Sequence, residues 1–203
     1  RAAGVSKVYK VGGAQAIAAV AYGTKTISRY VKVVGPGSPW VVAAKRLLAD
    51  QIDTGTPAGP SEAIIFADET TDGRLAALDL LIEAEHGDDS SAFIVTTSRD
   101  VADAALAAIP TYWHRMSAQR VNFTKAVLIS SRGGILLAKD AAEAMAFIND
   151  YAPEHLQILS KEPRKYLPMI KNAGEILLGE HTPSTLGNFV LGPSHVLPTS
   201  GWA

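Results

Sequence analysis

Cysteine is absent from the 203-residue sequence. Its absence excludes disulfide bonds and thiolate metal sites, so a bound metal ion would have to be held by histidine, carboxylate or amide side chains. Long apolar runs are also missing: no stretch reaches the roughly 18 apolar residues of a membrane-spanning helix, and no signal peptide is recognisable. The sequence therefore predicts a cytoplasmic protein without a membrane partner.

An excess of charge of one sign is also lacking. The formal net charge is −1, from 19 Lys and Arg residues against 20 Asp and Glu residues. The basic residues are scattered, so charge gives no reason to expect nucleic acid as a partner. Apolar residues make up 47% of the chain, which is ordinary for a globular protein that buries a core.

Short apolar runs rich in Val, Ile or Leu alternate with amphipathic segments. The runs predict strands at Ser6–Lys10, Tyr30–Val34, Ala63–Ala67, Ala92–Thr97, Ala126–Ser130, Leu156–Leu159 and Glu175–Leu178. The segments between them predict helices at Ala14–Tyr22, Pro39–Ala49, Gly73–Glu85, Arg99–Ile109, Ala141–Asp150 and Pro163–Asn172. Strands separated by helices indicate βαβ units with a mostly parallel sheet, so the predicted fold class is α/β.

A segment rich in glycine and proline interrupts this pattern. Residues 54–60 read Thr-Gly-Thr-Pro-Ala-Gly-Pro, a composition typical of a hinge or of a crossing between domains. We therefore expect one domain before this segment and another after it.

Two short motifs combine a carboxylate with a histidine. Glu83 and His86 are three residues apart at the end of a predicted helix, so both could reach one metal ion, although such pairs are common on solvated helices. Glu154 and His155 come just before a predicted strand, at the mouth of a parallel strand where open α/β sheets bind ligands. Imidazole is suited to proton transfer at neutral pH, and a loop histidine bonded to the backbone is the alternative.

Three glycine-containing segments are further candidates. The stretch 187–199 carries two potential ligands, Asn188 and His195, and loops of such composition line sites as often as they merely connect elements. Segments 11–16 and 33–38 place glycines between a predicted strand and a helix start, where backbone N–H groups could face a phosphate. Neither segment is the dinucleotide-binding motif G-x-G-x-x-G, so they favour a dinucleotide only weakly.

Seven segments, in this order, resemble the histidinol dehydrogenase family. They are VGGAQAIAAVAYGT, VVGPGSPWVVAAKR, PAGPSEAIIFADE, EAEHGDDS, YAPEHLQIL, NAGEILLGEHTP and GPSHVLPTSG. They span nearly the whole chain, and seven matches in order are a specific signal where one would be noise.

The resemblance implies an enzyme that oxidises an amino alcohol through an aldehyde to an acid, with two NAD molecules used in succession and a Zn²⁺ ion in the site. It implies Rossmann-like parallel sheets in two incomplete domains. Residues 1–58 would be the second half of the NAD-binding domain, and residues 59–203 the second half of the substrate and zinc domain. The family works as a homodimer in which a tail histidine reaches the partner's site, so this sequence is expected to be a central fragment, inactive alone.

The resemblance also implies roles for nine residues. They are the acid–base pair Glu154 and His155, the metal ligands Glu83, His86 and Asn188, the substrate-binding residues Ser61 and His195, and the cofactor-binding residues Gln15 and Ser38. In that scheme Glu154 activates the water that attacks the aldehyde, and His155 removes the hydroxyl proton.

Three of these positions depart from the family pattern, which has Gln at 83, Asp at 188 and Asn at 38. Glu83 with Asn188 preserves one carboxylate among the ligands, whereas Ser38 shortens a polar contact to the cofactor. The leading hypothesis is oxidation of L-histidinol through histidinal to L-histidine. The alternatives are a related dehydrogenase acting on another small alcohol or diol, such as sulfopropanediol, and a non-catalytic scaffold fragment.

Overall fold

A computed structural model of the chain describes residues 4–56, 58–189 and 197, with the side chains of 187–189 left out. The chain divides into two compact units, Arg1–Ala58 and Gly59–Ala203. The assignment of these units to halves of a cofactor domain and of a substrate domain stays a prediction.

The first unit contains two helices, α1 (Gly13–Tyr22) and α2 (Pro39–Leu47). α1 ends at Gly23, whose φ of 80° is favourable for glycine and whose N–H donates to the Ala19 carbonyl at 2.9 Å. α2 begins at a proline, where the missing N–H is not needed and the fixed φ suits the helix.

Two strands predicted for this unit are wrong. Ser6–Lys10 has no regular secondary structure, and Tyr30–Val34 makes a single parallel bridge, between Lys32 and Asp53. Val8 is 84% exposed and Val31 is 87% exposed. An extended apolar segment becomes a strand only when another strand lies beside it, and the described part of the chain provides none here beyond that bridge.

The second unit is built on a five-stranded sheet. Its strands are β1 (Glu62–Ala67), β2 (Ser91–Thr96), β3 (Gly133–Leu137), β4 (His155–Leu159) and β5 (Glu175–Leu178). Their order is β3-β2-β1-β4-β5 and every pair is parallel. This sheet confirms the predicted α/β class.

Helices cover both faces of the sheet. They are α3 (Gly73–Ala84), α4 (Arg99–Trp113), α5 (Ala118–Leu128), α6 (Ala141–Tyr151), a 3₁₀ helix (Pro163–Met169) and the short α7 (Ser184–Phe189). Ile65 and Ile94 pack against α3, α4 and α5, whereas Ile64 and Phe66 pack against α6 and the 3₁₀ helix. Successive residues of β1 therefore belong to two different cores, as the alternation of side chains along a strand requires.

Two further element predictions are wrong. Ala126–Ser130 was expected to be a strand, but it is the end of α5 and the turn after it, and the third strand lies at Gly133–Leu137. Its apolar residues include Val127, which is fully buried in the α3–α4–α5 core, and so short an apolar run does not distinguish a buried helix from a strand. Pro163–Asn172 is a 3₁₀ helix ending at Met169 instead of an α-helix. Within the described residues, no helix has the length and apolar character needed to cross a membrane.

Candidate active site at the amino edge of the sheet

The connection from α6 to β4 brings the two predicted acid–base residues together. α6 ends at Ala152, which has a φ of 55° and whose N–H donates to the Ile148 carbonyl at 2.9 Å. A non-glycine residue in this left-handed conformation costs of order 1 kcal/mol or more, and such strain concentrates at functional sites. Glu154 and His155 follow at once, and both are buried.

His155 is the first residue of β4, so the site lies at the amino ends of the parallel strands. This corrects the expectation based on open α/β sheets, which bind ligands outside the carboxyl ends of their strands. Ser61 comes directly before β1 at the same edge. Glu83 and His86 reach this edge as well, because α3 follows β1 and returns across the sheet.

The imidazole of His155 lies between two carboxylates. Its Nδ1 is 2.9 Å from Oε2 of Glu175, and its Nε2 is 3.8 Å from Oε2 of Glu154. The first distance is a hydrogen bond and the second is too long for one. Sequence reasoning missed Glu175, because the contact exists only through the pairing of β4 with β5, which sets His155 opposite Glu175.

Gly174 allows this pairing to begin close to Glu154. A Cβ atom at Gly174 would lie 2.8 Å from the Glu154 carbonyl oxygen, closer than a carbon and a backbone oxygen can approach. The Gly174 N–H donates to the Pro153 carbonyl and the Glu175 N–H donates to the Glu154 carbonyl, each at 2.9 Å. Glycine is therefore needed where the start of β5 meets the start of β4.

Glu154 has an unusual electrostatic environment. Burial raises its pKa above the ordinary value, and the nearby charge of Glu62 acts in the same direction. His155 and the N–H of Leu197, which donates to Oε1 of Glu154 at 3.2 Å, oppose that increase. A carboxyl group with a raised pKa is a stronger base once ionised, as general base catalysis near neutral pH requires.

Glu83 and His86 form the second predicted pair. Oε2 of Glu83 is 3.8 Å from Nδ1 of His86, which also lies 3.2 Å from the Glu83 carbonyl oxygen. The Glu83 side chain is buried, and its Oε1 has no hydrogen-bond partner in the described part of the chain. A buried carboxylate oxygen without a partner is costly, and coordination to a cation would satisfy it. The pair therefore fits two ligands of a zinc ion.

Further metal ligands are not brought to this pair by the described residues. Within 4–56, 58–189 and 197, no group of three His, Asp or Glu side chains could hold a metal ion. Asn188 lies in α7, with its side chain outside the description. His195 lies outside the described residues.

Glu83 and His155 line one cavity, together with Asp79, Gln157 and Ser184. Asp79 precedes Glu83 by one helical turn, so both side chains lie on the same face of α3. Burial raises the pKa of Asp79 to about 6; the Gln157 amide opposes this shift and the charge of Glu83 adds to it. The sequence offered one signal for Asp79, its four-residue spacing from Glu83, and none for Gln157.

The two predicted cofactor-binding residues lie in the other unit. Gln15 is exposed on α1, and Ser38 is exposed directly before α2, where its side chain makes no capping hydrogen bond. Chemically, the second unit combines the buried imidazole of His155, the adjacent carboxyl group of Glu154 with its raised pKa, and the Glu83 carboxylate, which has an oxygen left to bind a cation. Such a set can remove protons from an alcohol and from water.

Comparisons with known proteins give the family. The histidinol dehydrogenase family model matches residues 1–203. The chain is 67% identical over 203 residues to "Histidinol dehydrogenase homolog 2" of Mesorhizobium japonicum and 54% identical over 203 residues to "Histidinol dehydrogenase" of Synechocystis sp.. Each match covers 100% of this chain and 46% of the relative, so the chain spans less than half the length of these relatives.

A solved structure agrees with the sequence relatives. The crystal structure of histidinol dehydrogenase from Elizabethkingia anophelis matches with a TM-score of 0.86 at 34% identity, over 98% of this chain and 45% of that one. The family model and the alignments over the whole of this chain lead to one conclusion. This chain belongs to the histidinol dehydrogenase family.

Proposed function

We propose that this chain is part of an enzyme that oxidises L-histidinol through histidinal to L-histidine, with NAD and zinc as cofactors. Family membership supports the reaction class, and the relative from Synechocystis carries the name histidinol dehydrogenase. The observation that carries the proposal is the buried His155, which lies between two carboxylates and lines a cavity together with Glu83.

In the first oxidation, His155 is the base. The hydroxyl O–H bond of the substrate breaks, its proton bonds to Nε2 of His155, and the freed electron pair forms the carbonyl as hydride leaves the carbon. Nε2 is available for this role because no hydrogen bond to Glu154 occupies it at 3.8 Å. When bound, NAD supplies the acceptor for the hydride, and Gln15 and Ser38 are proposed to contact it.

In the second oxidation, Glu154 removes a proton from water. The water oxygen bonds to the aldehyde carbon, and the former aldehyde oxygen takes back the proton that His155 gained in the first oxidation, which forms the hydrate and leaves His155 neutral. A hydroxyl proton of the hydrate then passes to Nε2 of His155 as its C–H hydride leaves, and a second NAD, when bound, would supply the acceptor for that hydride. The raised pKa of Glu154 makes its carboxylate a stronger base than a surface carboxylate. Burial also keeps bulk solvent from the reacting groups.

Glu83 and His86 would hold the zinc ion, with Asn188 as a further ligand. A zinc ion there would orient and polarise the substrate. Catalytic zinc sites use about three protein ligands, which is more than the described residues bring together. We therefore propose a homodimer in which the partner subunit completes the site, with Ser61 and His195 contacting the substrate.

The test is NAD reduction by the zinc-loaded full-length protein that contains this chain, assayed with L-histidinol and a panel of small alcohols and diols. Turnover of L-histidinol supports the proposal. Turnover of another alcohol, such as sulfopropanediol, without turnover of L-histidinol would change the proposed substrate and leave the proposed catalytic residues in place. No turnover of any alcohol contradicts an enzymatic role.

The variant His155→Asn tests the assignment of the base. Loss of the imidazole should lower kcat by about 10²–10⁴-fold, the usual contribution of a positioned general base, while NAD binding measured by fluorescence titration changes little. The matched control is His181→Asn, because the His181 side chain is 93% exposed and its ion-pair partner among the described residues is the exposed Glu180. A His155→Asn enzyme with wild-type kcat would contradict the assignment.

A further inference from the structure

Glu175 contacts one of the two ring nitrogens of His155. Oε2 of Glu175 is 2.9 Å from Nδ1 of His155, and the two side chains are only 5% and 6% exposed. An ionised carboxylate can only accept hydrogen bonds, so the proton of a neutral imidazole must lie on Nδ1. Nε2 then carries the free lone pair.

That lone pair points toward the reacting groups. Nε2 is the ring nitrogen nearer to Glu154, at 3.8 Å from its Oε2, and makes no hydrogen bond with it. His155 also lines the cavity that contains Glu83. The unprotonated nitrogen is therefore the one on the Glu154 side of the ring.

Glu175 also has a buried oxygen without a hydrogen-bond partner among the described residues, which favours a positive charge on the neighbouring imidazole. Its Oε1 is buried and has no hydrogen-bond partner in the part of the chain that the structure describes. A buried carboxylate is costly unless a positive charge lies beside it. Proton transfer to His155 creates that positive charge next to Glu175, so the pair is better satisfied after the transfer than before it.

We propose that Glu175 is a positioning residue, which fixes the tautomer of His155 and stabilises the imidazolium formed during alcohol oxidation. In that step the substrate O–H bond breaks and the Nε2–H bond forms. The Nδ1–H proton stays on the ring, and hydride passes to a nicotinamide dinucleotide. The division of roles is that of the carboxylate and histidine in serine hydrolases. The kinetic part of this inference rests on the proposed function.

The kinetic experiment compares Glu175→Leu and Glu175→Gln in the zinc-loaded full-length protein. Leucine fills a similar volume and offers no acceptor, so kcat should fall by about 10²-fold or more, with KM changed by less than about threefold. Glutamine keeps an acceptor and removes the charge, so its kcat should fall by an intermediate factor. Wild-type kcat in both variants would overturn the inference.

A spectroscopic experiment needs no substrate and separates this inference from the proposed function. Histidine-selective ¹⁵N NMR of the full-length protein, recorded on the alkaline side where the histidine signals no longer change with pH, reports the tautomer of the neutral ring. The variant His155→Asn assigns the signal. We expect His155 protonated on Nδ1 in the wild type and on Nε2 in Glu175→Leu. An unchanged tautomer in that variant would overturn the inference, whatever alcohol the enzyme oxidises.

The matched control is Glu180→Leu. Glu180 also pairs with a histidine, at 3.6 Å from His181, but the two side chains are 58% and 93% exposed. This variant should leave kcat and the His155 signal unchanged. A change in either as large as that of Glu175→Leu would show that loss of a glutamate in this region, and not the buried contact, causes the effect.

Discussion

At the scale of single residues, burial raises the pKa of the Asp79 carboxyl group. The side chain is 2% exposed, and its Oδ2 has no hydrogen-bond partner within the described residues. Burial raises its pKa to about 6, with the Glu83 charge adding to the shift and Gln157 opposing it. Glu83 and His155 are the other titratable groups among the described residues that line this cavity. Ionising Asp79 therefore costs more free energy in the folded protein than in the unfolded chain.

The sign of the effect on stability follows from this direction. Between about pH 4 and 6 the folded protein binds a proton that the unfolded chain has released, so Asp79 reduces stability as the pH rises through this range. Relative to wild type, Asp79→Asn should gain about 2 kcal/mol in unfolding free energy between pH 4 and pH 8. Urea denaturation of metal-free protein at both values measures this.

Asp103→Asn, at an exposed position, is the control and should show little pH-dependent gain. If Asp79→Asn and wild type lose stability in parallel over this range, Asp79 does not titrate near pH 6.

At the scale of elements, the site depends on how β5 starts beside β4. Gly174 lies so close to the Glu154 carbonyl oxygen that there is no room for a Cβ atom at this position, and Glu175 is the next residue. The contact between His155 and Glu175 is therefore a consequence of strand register, which glycine permits.

The substitution Gly174→Ala tests this dependence. Its Cβ would lie 2.8 Å from the Glu154 carbonyl oxygen, and a backbone atom within a sheet cannot move away cheaply. We expect the unfolding free energy to fall by about 1–3 kcal/mol, as for other overpacked sites. Urea denaturation measures this, with the exposed Lys171→Ala as the control from the same segment. A stability equal to wild type would mean that β5 can shift without cost.

At the scale of the whole second unit, the two edges of the sheet have different roles. The order β3-β2-β1-β4-β5 makes the boundary between β1 and β4 the point where the chain changes direction across the sheet. At the carboxyl edge of the sheet, Asp68 is fully buried and accepts hydrogen bonds from Thr70, Ser160 and Tyr166. These internal partners occupy the position where a doubly wound sheet usually binds its ligand, so the amino edge holds the candidate site instead.

The pKa of Asp68 also determines how the stability of the second unit changes with acid. Burial alone would raise its pKa, but the hydrogen bonds from Ser160, Thr70 and Tyr166 outweigh burial and lower it. A lowered folded-state pKa gives stability above the unfolded value of about 4, and this stability is lost as the pH falls through the folded value.

Asp68→Asn should therefore reduce the unfolding free energy at pH 7 by about 1–3 kcal/mol, and by less near pH 3. Thermal unfolding at both values measures the difference, with the exposed Asp50→Asn as control. An equal loss at both values would mean that the carboxylate charge is not what stabilises this edge.

The local patterns of the sequence were sufficient for much of the second unit. Four of its strands, and helices such as α3, were predicted within a few residues, because buried parallel strands are short continuous apolar runs and helices have periodic ones. Asp72 caps α3, since its side chain accepts a hydrogen bond from the Arg74 N–H at 2.9 Å. The third strand was missed, because Gly133–Leu137 is flanked by an equally apolar helix end.

The sequence by itself determined the α/β class, the family and the candidate residues Glu83, His86, Glu154 and His155, since each depends on residues close together in the chain. Only the tertiary structure decided that the site lies at the amino edge and that Glu175 and Asp79 belong to it. The physical reason is that a hydrogen bond or a buried charge depends on distance in space. Strand pairing brings residues 155 and 175 together, and the sequence around neither residue indicates that pairing.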